Sequence, residues 1–158
     1  MNRYLLIALM FIAVLNLSAQ ERIAGSYKGK VTSVVMNGDP VSKDRHKQDF
    51  VFGLEKSNVG YVLTGKLDFY GGPAHHVIDF DSKQTIINIE SGKITKGLGK
   101  GHISVKVFKF ISALNKDFNV TSVTGIVTDD KLRFTINVII PDYKNGYKAS
   151  FTFEGVKQ

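Results

Sequence analysis

The residue types best suited to chemistry lie in one short stretch, where two histidines precede two aspartates. His75, His76, Asp79 and Asp81 offer imidazole and carboxylate groups, which bind zinc and serve as acids and bases in hydrolases. On a strand, however, His75 and Asp79 lie about 13 Å apart at roughly 3.3 Å per residue. A zinc ion sits about 2 Å from each ligand, so this stretch alone does not chelate one. We interpret these histidines as surface residues at the start of a strand, with His76 directed toward the interior.

Two further patterns match functional sites in composition only. Residues 96–101 (KGLGKG) combine glycine with lysine, but a phosphate-binding loop is followed by a helix and this stretch precedes a predicted strand. We interpret residues 91–101 as a mobile connection. Asp129 and Asp130 fall in a turn, where carboxylates bond the local backbone, and no Gly-x-Ser-x-Gly sequence marks a serine nucleophile. The sequence therefore predicts neither an enzyme nor a bound cofactor or metal.

The composition is that of a basic, cysteine-free chain of one domain. Its 158 residues are 43% hydrophobic and 22% charged, and 21 Lys and Arg against 14 Asp and Glu give a net charge of +7. The lack of cysteine excludes a disulfide-stapled miniprotein, a thiol enzyme and a lipoprotein anchored through an N-terminal cysteine.

Five of the lysines cluster in sequence, at positions 93, 96, 100, 106 and 109. The cluster suggests nucleic acid as a partner. Barrels that bind single-stranded nucleic acid, however, also need aromatic residues on the same exposed face as the basic residues. Most aromatic residues here alternate toward the interior, so we expect no nucleic acid. Anionic envelope polymers or lipid head groups are the milder electrostatic alternative.

The N-terminal segment has the layout of a secretory signal peptide. Arg3 provides a positive start, residues 5–15 form an uncharged apolar run, and Ala19 ends a small-residue cleavage site. The run of about 11 residues is shorter than the roughly 20 that a spanning helix needs. We predict a signal peptide over residues 1–19 and a mature domain over residues 20–158, exported to the periplasm or the cell exterior, with no membrane span after cleavage.

Alternation of apolar and polar residues dominates the mature chain, which is typical of half-buried β-strands. The predicted strands cover residues 26–36, 48–56, 61–70, 75–80, 85–90, 102–110, 119–128, 131–140 and 147–155. Residues 112–117 are interpreted as a loop. An open sheet would leave two unpaired edges, so we expect an all-β fold closed into a single antiparallel up-and-down barrel of eight or nine strands, with a two-layer sandwich as the alternative. Glycines inside strands, such as Gly29 and Gly125, favour the barrel because its strands bend sharply.

Six segments occur in an order and spacing that resemble one protein family. They are residues 25–29 (GSYKG), 50–54 (FVFGL), 63–69 (LTGKLDF), 123–127 (VTGIV), 130–136 (DKLRFTI) and 151–155 (FTFEG). Together they resemble the calycin-like, or lipocalin-like, domain of exported proteins from Gram-negative bacteria. The resemblance implies an eight-stranded barrel and transfers no catalytic residues. True lipocalins carry Gly-x-Trp in the first strand, whereas this chain has Gly25, Ser26 and Tyr27 there and no tryptophan.

The barrel interior is the remaining candidate site. We predict that inward-facing residues bind a small apolar or amphipathic ligand near one mouth, unless side chains fill the interior completely. These residues are Phe50, Phe52, Leu63, Leu67, Phe69, His76, Phe134, Ile136, Phe151 and Phe153. Residues 71–74, 91–101 and 111–118 are expected to frame the entrance. The alternative is an accessory module with a packed core that binds an envelope protein or an anionic polymer through its basic surface.

Overall fold

The described part of the chain forms a sheet of ten strands. The computed structural model describes residues 22–71 and 73–158, and the predicted signal peptide lies outside these residues. The strands are β1 (Gly25–Met36), β2 (Asp39–Pro40), β3 (Asp49–Ser57), β4 (Gly60–Gly71), β5 (Ala74–Asp79), β6 (Thr85–Glu90), β7 (Lys93–Val107), β8 (Ile111–Val127), β9 (Lys131–Ile140) and β10 (Tyr147–Lys157). A 3₁₀ turn, Lys43–Arg45, lies between β2 and β3. None of the described residues belongs to a helix long and apolar enough to cross a membrane.

The sheet closes on itself, which confirms the predicted antiparallel up-and-down barrel of eight strands. Strands pair around the barrel in the order β1, β3, β4, β5 with β6, β7, β8, β9 and β10. β10 then pairs with β1, from Lys157 opposite Tyr27 to Ala149 opposite Met36. β5 and β6 share one position in the barrel, because both lie between β4 and β7. β2 is a two-residue addition beside the end of β1.

Alternating side chains build the apolar interior. Along β9, Phe134 and Ile136 are buried while Arg133 faces solvent. Because successive side chains of a strand point to opposite faces, such a strand places one face in the core. Glycine allows the strands to approach closely where the barrel coils: a Cβ on Gly29 would lie 2.0 Å from the carbonyl oxygen of Glu154.

The predicted mobile connection over residues 91–101 is wrong, because β7 covers most of this segment. Two of its glycines make room for side chains of β8. A Cβ on Gly97 would lie 2.3 Å from Cγ2 of Val123, and one on Gly101 would lie 2.1 Å from the Phe118 ring. These glycines are therefore packing positions inside a strand, although their composition resembles that of a loop.

The predicted loop over residues 112–117 is also wrong, because β8 begins at Ile111. This part of β8 pairs with β7 alone, since the ladder between β8 and β9 begins with Asn119 opposite Ile139. With one neighbour missing, the segment is exposed over most of its length. It therefore lacks the regular apolar alternation by which a strand with two neighbours is predicted.

Aromatic rings fill the middle of the barrel. The centre of the Phe52 ring lies 4.8 Å from that of Phe153, 5.2 Å from that of Phe134 and 6.1 Å from that of Phe80. All four side chains are buried. The packed cluster separates a closed end, which carries the β3–β4, β6–β7 and β8–β9 turns, from an open end. The open end carries the β2–β3, β4–β5, β7–β8 and β9–β10 connections.

Candidate functional site

A cavity of about 160 Å³ lies inside the open end of the barrel. Its lining residues are Val34, Met36, Leu67, Phe69, His76, Ile78, Ile103, Val105, Ala113, Leu114, Phe118, Val138, Ile140, Tyr143, Lys144, Tyr147, Ala149, Ser150 and Phe151. Apart from one histidine, one lysine, one serine and two tyrosines, every lining side chain is apolar. A cavity of this kind, with few polar groups, is typical of small-molecule sites.

The structure divides the predicted ligand-lining residues into two groups. Four of them line the cavity: Leu67, Phe69, His76 and Phe151. The other six lie in the barrel without lining the cavity: Phe50, Phe52, Leu63, Phe134, Ile136 and Phe153. All ten share the inward face, but aromatic rings occupy the middle and leave space only toward the open end. Alternation in the sequence predicts the inward face and carries no information on where along the barrel the space lies.

Two of the three segments expected to frame the entrance lie at the open end, and the β9–β10 connection joins them there. Residues 91–101 begin at the closed end, whereas the β4–β5 connection and residues 111–118 lie at the open end. The β9–β10 connection supplies Tyr143 and Lys144 to the lining, and the sequence analysis treated this connection only as a turn. Two tyrosines that flank the tripeptide Lys-Asn-Gly are the signal that marks it in the sequence.

The floor of the cavity is aromatic. Phe118 and Phe151 line the cavity, and their ring centres lie 5.3 Å and 5.8 Å from that of the buried Phe80. Phe80 follows β5, where the strand is interrupted, and its backbone N–H donates a hydrogen bond to the carbonyl of Gly65 at 3.0 Å. The interruption between β5 and β6 therefore supplies a side chain that seals the cavity against the packed core.

His76 belongs to the cavity wall although its side chain is an imidazole. Its ring stacks on Phe69, with centres 5.0 Å apart and planes 8° apart. Burial lowers the pKa of His76 below its usual value, and the nearby His75 and Arg45 lower this pKa further. The ring is therefore neutral at pH 7. Its Nδ1 atom is buried and has no hydrogen-bond partner in the described part of the chain.

Lys144 places a positive charge at the mouth of the cavity. Its Nζ atom lies 5.4 Å from the centre of the Tyr143 ring and 6.0 Å from that of Tyr147. The backbone N–H groups of Gly146 and Tyr147 donate to the Tyr143 carbonyl at 3.1 Å and 2.9 Å, which fixes the connection. No carboxylate forms an ion pair with Lys144 within residues 22–71 and 73–158. Its ammonium group is therefore available to an anion.

Two other histidines are engaged on the outer face of the barrel. Nε2 of His75 lies 2.6 Å from Oδ1 of Asp68, and its ring stacks on Tyr70. Nδ1 of His102 lies 2.8 Å from Oδ1 of Asp117, and this hydrogen bond is the main cause that raises the pKa of His102. Across the described residues, no three His, Asp or Glu side chains are grouped so that they could hold a metal ion.

Comparison with known proteins adds no relative. No family model, no curated protein and no solved structure matches the chain. The functional argument therefore rests on the barrel and on two features that meet at its open end, an apolar cavity and a lysine without an ion-pair partner among the described residues.

Proposed function

We propose that this protein is an exported, calycin-like binding barrel that holds a small amphipathic ligand at its open end. The apolar part of the ligand occupies the cavity, and an anionic or strongly polar head lies beside Lys144. The observation that carries the proposal is that the apolar cavity opens beneath this cation, which has no carboxylate partner in the described chain. The signal sequence predicted over residues 1–19 supports export.

The size of the cavity limits the part of the ligand that is buried. A cavity of about 150 Å³ lined by Leu, Ile and Phe holds one benzene-sized molecule, and the cavity here measures about 160 Å³. A short acyl chain or a single ring fills this space, and a longer ligand extends past Tyr143 and Tyr147. Removal of apolar surface from water, at about 25 cal/mol per Å², is then the main source of affinity.

Lys144 gives the site its selectivity for the head group of the ligand. Lys144 attracts an anionic head, and the aromatic rings beneath its ammonium group strengthen that attraction because they exclude water. Deeper in the wall, the imidazole of His76 is neutral and stacks on Phe69, so this part of the cavity offers no charge and the charged head stays at the mouth.

Octanoate and 1-octanol test this assignment, since they share a tail and differ in the head group. Isothermal titration calorimetry is expected to show tighter binding of octanoate by the wild-type protein. Lys144→Gln should weaken octanoate binding about threefold to fivefold, which corresponds to at most about 1 kcal/mol for an exposed ion pair. The same variant should bind 1-octanol unchanged. Lys96→Gln, at an exposed position of β7, is the matched control.

Filling the cavity tests whether the ligand is bound inside the barrel. Ala149 lines the cavity from β10, and Ala149→Phe places a ring in this space. The variant should lose binding of both octanoate and 1-octanol. Wild-type protein that binds neither compound, or an Ala149→Phe variant that binds both as before, would contradict the proposal.

A second candidate function, binding of an anionic polymer or an acidic envelope protein, is supported by the lysines of β7. Lys93, Lys96, Lys100 and Lys106 are exposed, and none forms an ion pair within the described residues. Charges repeated along one strand match a linear polyanion. Retention on dextran sulfate should fall as salt is raised and in a variant with Lys96→Gln and Lys100→Gln. Retention that ignores both changes would exclude this function.

A further inference from the structure

The β7–β8 turn carries a concentration of exposed apolar side chains. Phe108, Phe110 and Ile111 are 65%, 90% and 61% exposed within four consecutive residues. We call these three residues the apolar tip. Exposed apolar residues that occur singly need no explanation, but a contiguous group on a soluble surface marks an interaction site. The tip is therefore the strongest candidate for an interaction surface outside the cavity.

The backbone conformation of the β7–β8 turn is unfavourable for the two residues at its centre, Phe108 and Lys109. Phe108 and Lys109 have φ angles of 51° and 65°, in the left-handed region. The N–H of Phe110 donates to the carbonyl of Val107 at 3.3 Å, so these two residues are the central pair of a tight turn. Such turns favour Asn-Gly, and a bulky aromatic residue there is strained. A strained aromatic side chain that faces solvent indicates a role outside the fold.

The apolar tip lies on the rim of the cavity. Residues 111–118 of β8 extend past the last pair with β9, so the hairpin projects from the open end. The N–H of Phe108 donates to the Pro73 carbonyl at 3.0 Å, which ties the tip to the β4–β5 connection. Ala113 and Leu114, in the same hairpin, line the cavity. Any surface that binds the tip therefore lies close to the mouth.

The charged side chains of the hairpin between Lys106 and Lys116 are all positive. Lys106, Lys109 and Lys116 are exposed, and the sequence between Lys106 and Lys116 contains no carboxylate. None of the three forms an ion pair in the part of the chain that the structure describes. Lys144 adds a fourth cation at the mouth. Aromatic side chains surrounded by lysines fit an interface between apolar chains and anionic head groups.

We propose that the apolar tip docks the barrel on an anionic lipid surface. Phe108 and Phe110 enter the interface between head groups and acyl chains, and the lysines lie among the head groups with their alkyl stems along the apolar boundary. This contact turns the mouth of the cavity toward the membrane, where amphipathic molecules are concentrated. The proposal stands on the tip alone and does not require that the cavity binds a ligand.

A tryptophan reporter tests whether the tip enters the membrane. The chain has no tryptophan, so Phe110→Trp introduces a single fluorophore at the tip. Val59→Trp is the control, because Val59 is also an exposed apolar turn residue (65% against 90% for Phe110) but lies in the β3–β4 turn at the closed end. The Phe110→Trp emission should shift to the blue with phosphatidylcholine vesicles that contain phosphatidylglycerol, and should shift far less without the anionic lipid. The Val59→Trp emission should not shift with either vesicle.

Sedimentation with the same vesicles measures what each group contributes. The wild type and all variants are purified in the form in which the cell processes them. Mass spectrometry verifies that all of them have the same N-terminus. Phe108→Asn with Phe110→Ser should weaken binding at least tenfold, in line with two buried aromatic side chains. Lys106→Gln and Lys109→Gln should each weaken it about fivefold at low salt. Val59→Ser should bind like the wild type.

Three results would overturn the proposal. The first is wild-type protein that does not bind anionic vesicles. The second is binding that survives Phe108→Asn with Phe110→Ser unchanged; because asparagine suits the left-handed turn, that variant is expected to fold. The third is a wild-type protein that forms a dimer in sedimentation velocity without vesicles and does not bind vesicles, together with a Phe108→Asn, Phe110→Ser variant that is monomeric. In that case the tip and the adjoining edge of β8 bind a second copy of the chain.

Discussion

The imidazole of His76 stacks on the ring of Phe69, with centres 5.0 Å apart and planes 8° apart. The contact follows from register, because the two residues lie directly opposite each other in the β4–β5 ladder. One residue along each strand, Tyr70 lies opposite His75, and these rings stack 4.5 Å apart on the outer face. The same strand pair thus directs one histidine into the cavity wall and the other toward solvent.

Protonation of His76 is expected to destabilise the fold in acid. The folded protein lowers the pKa of His76, so the unfolded chain takes up its proton first as the pH falls. The contribution of the neutral ring to the free energy of unfolding is complete above the unfolded pKa of about 6.5 and is lost as the pH falls through the lower folded value. Urea unfolding at about pH 7.5 and about pH 5 should show this loss in the wild type and not in His76→Phe.

The contribution of His102 to the free energy of unfolding depends on pH in the opposite direction, so His102 serves as the control. Its hydrogen bond with Asp117 raises the pKa of His102, so its contribution is present below the unfolded pKa and is lost as the pH rises through the folded value. His102→Gln should therefore steepen the loss of stability in acid, whereas His76→Phe should flatten it. Identical pH profiles for the wild type and His76→Phe would contradict the burial of a neutral imidazole at this site.

Gly101→Ala should lower the free energy of unfolding by about 1 to 3 kcal/mol, the usual range for an overpacked core. The added Cβ would lie 2.1 Å from the Phe118 ring and 2.7 Å from the carbonyl oxygen of Asp79. Phe118→Leu in the same chain should recover part of the loss, because the clashing ring atoms are removed. Leu98→Ala, half-exposed on the same strand, is the control for denaturant unfolding. An unaffected Gly101→Ala variant would show that β7 and β8 are not packed in this way.

Phe108→Asn with Lys109→Gly should stabilise the protein by about 1 kcal/mol or more, because the new pair suits the left-handed backbone of the turn. Thermal unfolding measures the gain. Val59→Asn is the control, because Val59 is an exposed turn residue whose φ angle is not left-handed. This substitution should leave the free energy of unfolding nearly unchanged. A less stable double variant would mean that Phe108 and Lys109 support the turn, and the argument for their role outside the fold would then fail.

The strands that the sequence predicts well are those with two neighbours and regular alternation. In β9, Phe134 and Ile136 mark the inward face, and the structure confirms both the strand and its face. The first part of β7, residues 93–101, escapes prediction because Gly97 and Gly101 remove the side chains that would mark its alternation. The reason for these glycines is visible only when the neighbouring β8 side chains are in place.

For the candidate site, the sequence predicts which side chains face the barrel interior, but not their position along the barrel axis. Alternation places Leu67 and Phe153 on the same inward face, yet Leu67 lines the cavity and Phe153 belongs to the aromatic cluster. The difference arises from packing across the barrel, which no local pattern records. Lys144 lies in a connection without periodicity, so its position at the mouth depends on the fold of the whole β9–β10 hairpin.

Native mass spectrometry of the processed protein, recovered from its own cell envelope, tests the ligand-binding proposal most directly. The proposal predicts a mass above that of the bare chain, with an excess that fits a small amphipathic molecule. Gentle heating should remove the excess, and Ala149→Phe, which fills the cavity, should never carry it. A bare chain mass under the mildest conditions, the same for the wild type and Ala149→Phe, would contradict the proposal that this barrel carries a ligand.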